Sequence, residues 1–453
     1  MSGYHMALVA GVVFFLVRAG LALSPGLALR RPIKKWAAAA ALAAAAGYLV
    51  LSGAEVATQR SFIMTAVVLV GVMADRPALT LRTIAVAALA VLLLAPEAVV
   101  HPSFQMSFAA TLALIAAYER GMPWLAAAPD TTLGARVALW GVREAGFLIF
   151  ASLVAGFATM PYAAFHFHRL APYGVLSNLL AMPVISALSM PAGLLALVAM
   201  PFGLDGPLWH LMGVGIDWMI MVATWVARLP GAVGHVHAFG IGALVLATAG
   251  LVVLCLLRSP LRWAGVVLIA AGCIAAGLTA RPDVLISASG EVVAVRGANS
   301  RLSVLKSGGN DALSAGDWLN ADGDARSAKD QGLAQGFACD PDGCVGHLAD
   351  GAVVAVPRGP AAFADDCARA ALVVTIRPPP GCAAMVIDRK ALRETGALAL
   401  YRHDGAFERV ATRPATLDRP WARRVTSRDL RPPQNPRPAE VDATPPVDAD
   451  SEE

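Results

Sequence analysis

Long apolar runs alternate with short polar breaks from the first residues to about residue 280, and then the pattern shortens. The runs fall near residues 4–23, 36–52, 62–74, 83–100, 103–118, 146–165, 174–200, 208–227, 238–257 and 263–280. A helix needs about 20 mostly apolar residues to cross hydrocarbon, so the pattern predicts an α-helical polytopic membrane bundle of about ten spans. The third run is short for a crossing and suits a tilted, re-entrant or protein-buried segment. From 282 to 427 the apolar runs shrink to strand length, as at 283–286, 292–296, 352–356 and 372–376. Ser289-Gly290 and Asp350-Gly351 read as turns, and 365–371 suits a short helix. Together these predict a small soluble mixed α/β domain, a comfortable size for one core. From Arg428 the chain is proline-rich and ends acidic, a composition that buries too little apolar surface to fold. The predicted organisation is therefore a membrane domain over 1–281, a soluble domain over 282–427 and a disordered tail over 428–453.

Composition sharpens the contrast with a soluble protein. The chain is 57% hydrophobic and 15% charged, against about 25% charged for a soluble domain. The net charge of +4 says less than where the basic residues lie. Arg30, Arg31, Lys34 and Lys35 follow the first run, Arg76 and Arg82 separate the third and fourth, Arg120, Arg136 and Arg143 follow the fifth, and Arg258 and Arg262 precede the tenth. These are alternate loops, so one side collects the positive charge and is predicted to be cytoplasmic. Both chain ends then face the periplasm or exterior of a bacterium. Tyr4 to Leu23 lacks a basic stretch before it and reads as a retained span rather than a signal peptide.

Several polar side chains interrupt the apolar runs. In lipid such groups need a partner inside the protein or a wet cavity. Gln105 and Ser107 sit in the first turn of the fifth run, and suit either interhelical bonding or a pore lining. Arg60, just before the third run and next to Gln59, suits either phosphate binding or snorkelling at the interface. His5 reads most simply as a satisfied bundle histidine. His166 and His168 flank Phe167 ahead of Arg169, a polar-aromatic cluster that fits an interfacial belt. Asn178 precedes Pro183 and Pro191 in one long apolar segment, which suits a broken helix beside a cavity or a simple kink. Asp217, between Ile216 and Trp218, is the deepest carboxylate in the pattern; it fits proton coupling or an interfacial helix with Trp209, Trp218 and Trp225. Arg136, Arg143 and Glu144 beside Trp140 suggest a further interfacial helix. In the soluble region Cys339 and Cys344 flank an Asp-Pro-Asp-Gly turn, and Cys367 and Cys382 follow. Disulfides Cys339–Cys344 and Cys367–Cys382 are one of three connectivities, with free thiols or a zinc site as alternatives.

Four pieces, in order, resemble the ComEC-type competence family. Ser2-Gly3-Tyr4-His5 is similar to its Ser-Gly-x-His signature. Leu51-Ser52-Gly53-Ala54 followed by Thr58-Gln59-Arg60-Ser61 is similar to its Leu-Ser-Gly…Arg-Ala segment. Phe104-Gln105-Met106-Ser107-Phe108 resembles its Phe-Gln-Leu-Ser-Phe motif. Asn178-Leu179-Leu180-Ala181-Met182-Pro183, after Pro161 and His166, resembles its Asn-Leu-x-x-x-Pro stretch. The chain begins inside the first motif, so against the family it reads as N-terminally shortened. The resemblance implies an inner-membrane channel passing single-stranded DNA inward during natural transformation, with a periplasmic DNA receptor and a cytosolic helicase as partners alongside the lipid bilayer, and room for a homo-oligomer. It implies DNA-path roles for His5, Gln59, Arg60, Gln105, Ser107, His166, Arg169 and Asn178. Many members also end in a metallo-β-lactamase-like domain. After residue 281 this chain offers His347 and His403, far apart, and Asp322-Gly323-Asp324 without a neighbouring histidine, whereas a two-metal hydrolase needs clustered ligands. The expectation is a degenerate domain without nuclease activity, metal or cofactor. A small-molecule or ion transporter using Asp217 is the alternative.

Overall fold

The computed structural model describes residues 3–76, 80–120, 133–307, 312–377 and 379–414. The acidic tail lies outside them. The chain divides into a helical unit, residues 1–280 with 320–325, and a sheet-rich unit formed by 281–319 and the residues from 326 onward.

In the helical unit α1 (Gly3–Ala22), α2 (Pro25–Arg30) and α3 (Ile33–Leu51) lead into α4 (Val56–Met73), α5 (Leu81–Leu94) and α6 (Pro102–Glu119). A long α7 (Leu133–Phe167) and a two-residue β1 (Arg169–Leu170) follow. Then come α8 (Gly174–Val184), α9 (Met190–Ala199) and α10 (Gly206–Ala227). After β2 (Gly234–His235), α11 (Ile241–Leu256) and α12 (Ala264–Gly277) close the unit. Every predicted run is helical, but among the described residues six helical segments are both long and apolar enough to cross a membrane. They are His5–Ala22, Ile33–Leu51, Gly141–Phe167, Gly174–Phe202, Gly206–Ala227 and Pro260–Gly277. Ala57–Met73, Leu81–Leu94 and Ile241–Leu256 are apolar but shorter. Helix α6 stays outside both groups because Gln105, its serines and Glu119 dilute an otherwise apolar sequence.

Three local details depart from the run pattern. Helix α4 starts at Val56, several residues before the third run, so Gln59 and Arg60 lie within its first turns. Helix α7 is continuous from Leu133 through Pro161, so Arg143 and Glu144 extend a span rather than form a separate interfacial helix. Between α8 and α9 the backbone makes a π-turn over Ile185–Ser189. Pro183 lacks an N–H to give the helix, and the widened turn absorbs the defect without unwinding the chain.

Close packing in this unit relies on small residues. Ala38, Ala41 and Ala45 of α3 are fully buried beside Met6 and Ala10 of α1 and Leu69 of α4. The hairpin of α11 and α12 goes further. A Cβ on Gly250 would lie 2.6 Å from the Gly265 carbonyl oxygen, and one on Gly265 would lie 2.5 Å from that of Gly250. Neither position admits any side chain without separating the two backbones, the geometry small residues permit in membrane helices.

The sheet-rich unit contains two five-stranded sheets. One has the order β12 (Ala406–Ala411), β11 (Leu398–His403), β3 (Val284–Ile286), β4 (Val292–Arg296), β5 (Leu302–Lys306), antiparallel throughout. The other runs β10 (Met385–Ile387), β9 (Leu372–Val374), β8 (Val353–Pro357), β7 (Gly343–His347), β6 (Phe337–Cys339). It is parallel across β8, β9 and β10 and antiparallel elsewhere. Alternate residues of both sheets, among them Val284, Ile286, Val293, Val295, Val354, Leu372, Val374 and Leu400, form one buried core. On the outer face of the first sheet, Val292, Ala294, Leu302 and Val304 pack under Ala315 and Leu319 of α13 (Ala312–Asp322). Helices α14 (Phe363–Arg369) and α15 (Arg389–Thr395) lead into β9 and β11. Strands β3, β4 and β8 fall on the strand-length apolar runs at 283–286, 292–296 and 352–356.

Cys339 is disulfide-bonded to Cys344, directly opposite it across the β6–β7 pair, and Cys367 to Cys382. Asp350 accepts from the Ala352 N–H and from Arg402 Nε. Those two bonds hold its carboxyl below the usual carboxylate range. Asp366 is pushed the other way by burial and by Asp365 and Asp340.

Two stability predictions follow from this packing. Gly250→Val or Gly265→Val will lower the stability of the full chain in detergent by about 1–3 kcal/mol, and Gly277→Val, which meets open space, will not; wild-type stability in Gly250→Val would contradict the close contact. The double substitution Cys367→Ala with Cys382→Ala will cost the sheet-rich unit about 2–4 kcal/mol in denaturant unfolding. Reductant will shift the wild type towards the variant.

Candidate functional site

The first turn of α6 carries a polar side chain that ties two helices of the unit together. His101 caps the helix, its Nδ1 accepting from the Ser103 N–H at 3.3 Å, and Pro102 occupies the first turn, where no N–H is needed. Gln105 then reaches in two directions. Its Nε2 donates to the Val99 carbonyl at 2.9 Å, and its Oε1 lies 2.8 Å from His166 Nε2 in the last turn of α7. Because the amide nitrogen is committed to Val99, Oε1 must accept, so His166 carries its proton on Nε2. One side chain thereby ties α6, the turn before it and α7 together.

Aromatic rings surround this bond. Phe165 meets the His166 ring edge-on at 5.0 Å and Phe239 at 5.6 Å, and Phe167 lies 6.4 Å from His166. Phe167 is half exposed. The chain leaves α7 through His168, whose φ is 55°, and enters a short ribbon in which Arg169 pairs with His235 and Leu170 with Gly234. The His168 carbonyl accepts from the Val236 N–H. Its Nδ1 is buried without a hydrogen-bond partner, and burial pulls the imidazole below its ordinary range. The result is a histidine- and phenylalanine-rich end to the bundle, contributed by α6, α7 and the β1–β2 ribbon.

Arg60 occupies a second polar position. It is 9% exposed, beside Thr58 at 2%, and neither its Nε nor Thr58 Oγ1 has a hydrogen-bond partner. A guanidinium placed so deep with its Nε unmatched is costly in any apolar medium. The interfacial-anchor reading requires an exposed head group, so burial argues against it. Neighbouring Gln59 is exposed and turns back to the Ala54 carbonyl at 2.7 Å. Gly3 of α1 sits close against Ser61 of α4, and His5 is half-buried on the same helix.

The other sequence-predicted residues scatter. Asn178 is exposed and bonds Ser152 Oγ of α7 at 3.4 Å. Ser107 is half-buried, two residues beyond Gln105. Asp217 lies at the middle of α10, on its exposed surface. Gln105 and His166 are thus brought together, whereas Arg60 and Asn178 bond to neither. Thr58, Val99, His101 and Phe239 join these clusters without having been singled out in the sequence; Thr58 lay inside a quoted motif, and the others carried no signal. Among the described residues no group of three or more His, Cys, Asp or Glu side chains is placed to hold a metal ion.

Fold and site define a class: a polytopic, largely α-helical membrane-type protein with polar and aromatic groups set into its bundle and a sheet-rich unit attached. Residues 1–261 match the family described as competence protein, and the chain belongs to that family, of the ComEC type. It is similar to ComE operon protein 3 of Bacillus subtilis (strain 168), 23% identical over 244 residues. That alignment covers 53% of this chain and 27% of the relative, so the chain spans about a quarter of that protein's length. No solved structure matches.

Substituting Gln105 tests the assignment of this bond. Gln105→Ala will lower stability in detergent by about 0.6 kcal/mol, and by no more than about 1.7. Gln105→Glu will retain the link to His166 and move the resonances of its imidazole, because a carboxylate oxygen replaces the amide oxygen at the ring nitrogen. An unchanged His166 resonance in Gln105→Glu would show that the two side chains do not meet.

Proposed function

We propose that the helical unit forms a path through which a single DNA strand crosses the bacterial inner membrane during competence. The observation that carries this reading is the Gln105–His166 bond set among Phe165, Phe167 and Phe239, inside the stretch matched by the competence family. A strand without sequence preference needs stacking surfaces for its bases and cations for its phosphates. The rings supply the first. The buried Arg60, with an unmatched Nε, supplies a donor of the second kind on α4, as bidentate guanidiniums do for phosphate. His5, Gln59, Ser107, Arg169 and Asn178 are proposed to border the same path.

On this reading the finer topology is ten crossings, the three shorter apolar helices and α6 being held within the bundle. The basic loops face the cytoplasm and the sheet-rich unit faces the periplasm, where its two disulfides are chemically favoured. That unit is proposed to descend from a metallo-β-lactamase-like domain and to guide DNA without cutting it; its His347 and His403 sit in different sheets, on β7 and β11. A periplasmic DNA receptor and a cytosolic helicase are the partners expected from the resemblance.

The experiment is entry of fluorescently labelled DNA into a naturally competent host carrying this gene. Deletion will abolish entry, and Arg60→Gln or His166→Ala will reduce it at least about tenfold, a loss on the order of 1.4 kcal/mol or more, at unchanged membrane levels. Normal transformation in the deletion strain would reject the proposal. One observation favours a second reading, a proton-coupled transporter. His210, Asp217 and Thr224 recur at seven-residue spacing along one exposed face of α10, where a carboxylate is costly against lipid. Proton-coupled uptake lost in Asp217→Asn, with DNA entry intact, would favour that reading.

A further inference from the structure

A cavity of about 290 Å³ opens where α5 begins, α6 and α11 end, and the chain turns into α12. Its floor is apolar, with Ala116 and Cys255 buried. Its rim carries Arg120, Arg258 and Arg262 against a single carboxylate, Glu119. That carboxylate is already engaged twice: Oε1 accepts from the Leu81 N–H at 3.3 Å, and Oε2 lies 3.4 Å from Arg258. Arg120 turns Nη2 onto the Leu254, Cys255 and Leu257 carbonyls at 2.8, 2.9 and 3.1 Å. This caps α11 and neutralises no charge. Arg262 lies over the Trp263 ring at 5.0 Å. The site is therefore left with excess positive charge in a hollow whose lining is half charged, Glu119 and three arginines, and half apolar.

We infer that this cavity binds the phosphate of an anionic phospholipid headgroup. Three features select a lipid. The cavity is at the small end of ligand pockets, large enough for a headgroup but not for a whole amphiphile. Leu256 on its wall is half exposed, and the adjoining Leu261, Trp263 and Val267 are 66%, 58% and 68% exposed, offering acyl chains an apolar flank beside the charged rim. The Arg262–Trp263 pair is the amphipathic combination that settles at a membrane interface. The rim arginines also lie in the loops that carry the excess positive charge, the side on which anionic lipids concentrate.

The test uses the full chain in nanodiscs or mixed micelles, titrated with phosphatidylglycerol or phosphatidylcholine, with native mass spectrometry counting retained lipids. Phosphatidylglycerol will raise the unfolding midpoint and leave one lipid bound, and phosphatidylcholine will do neither. Combining Arg258→Gln with Arg262→Gln removes two rim cations without touching the α11 cap. It will weaken the phosphatidylglycerol effect roughly ten- to thirtyfold, while unfolding in neutral lipid stays at the wild-type midpoint. Equal protection by the two lipids, or an undiminished effect in the double variant, would overturn the inference. So would protection by inorganic phosphate alone at the same concentration, which would make this a free-anion site, or displacement of the lipid by a single-stranded oligonucleotide, which would make it a nucleic-acid contact.

Discussion

Hydrocarbon offers no hydrogen bonds, and this constraint governs every polar side chain within the helices. Gln105 meets it by joining two neighbours, Val99 and His166. The consequence is structural before it is functional. The bond fixes the end of α7 against the start of α6, and so fixes where the chain emerges into the β1–β2 ribbon and where the rings of Phe165, Phe167 and Phe239 stand relative to one another. A side chain that satisfies itself locally, as Ser186 does on the Met182 carbonyl, ties no two helices together.

The two units hold together by different means, and the difference follows from their solvents. The sheet-rich unit removes Val, Ile and Leu from water, where burial is worth roughly 25 cal/mol per Å² of apolar surface; its core is built from fully buried branched residues on both sheets. In the helical unit lipid is as apolar as the side chains it would displace, so large residues gain little by turning inward. They stay outside, as Leu51, Leu93, Phe15 and Leu278 do. Alanine and glycine occupy the contacts instead, and close backbone approach replaces area burial as the source of cohesion.

This contrast explains which parts of the architecture were legible in the sequence. Apolar runs located the long helices of the helical unit, because hydropathy reports the lipid-facing surface directly, and passed over the short α2. Strand-length apolar runs located β4 and β8, which are buried along their length rather than at alternate residues. Helix starts were less legible: α4 begins before its apolar run because a polar residue such as Arg60 can be helical and buried when it faces the bundle. The π-turn at Ile185–Ser189 was foreshadowed by Pro183 and Pro191 only as a defect of unspecified form. At the site, Gln105 and His166 each stood out as polar residues in apolar surroundings, but 61 positions separate them, and no local pattern encodes their meeting. Helix packing decides it.

Arg60 and Arg120 show how one functional group can meet two ends in the same bundle. Arg120 sits at a helix terminus, where carbonyls lacking intrahelical partners are available, and it takes three of them with one nitrogen. Its position is accounted for by the fold alone. Arg60 sits within a helix whose carbonyls are already bonded, is buried, and has an Nε that meets no acceptor. Glutamine or methionine would fill that space at lower electrostatic cost. The hydrogen bonds of the fold therefore leave that Nε unmatched, where the guanidinium of Arg120 meets three carbonyls.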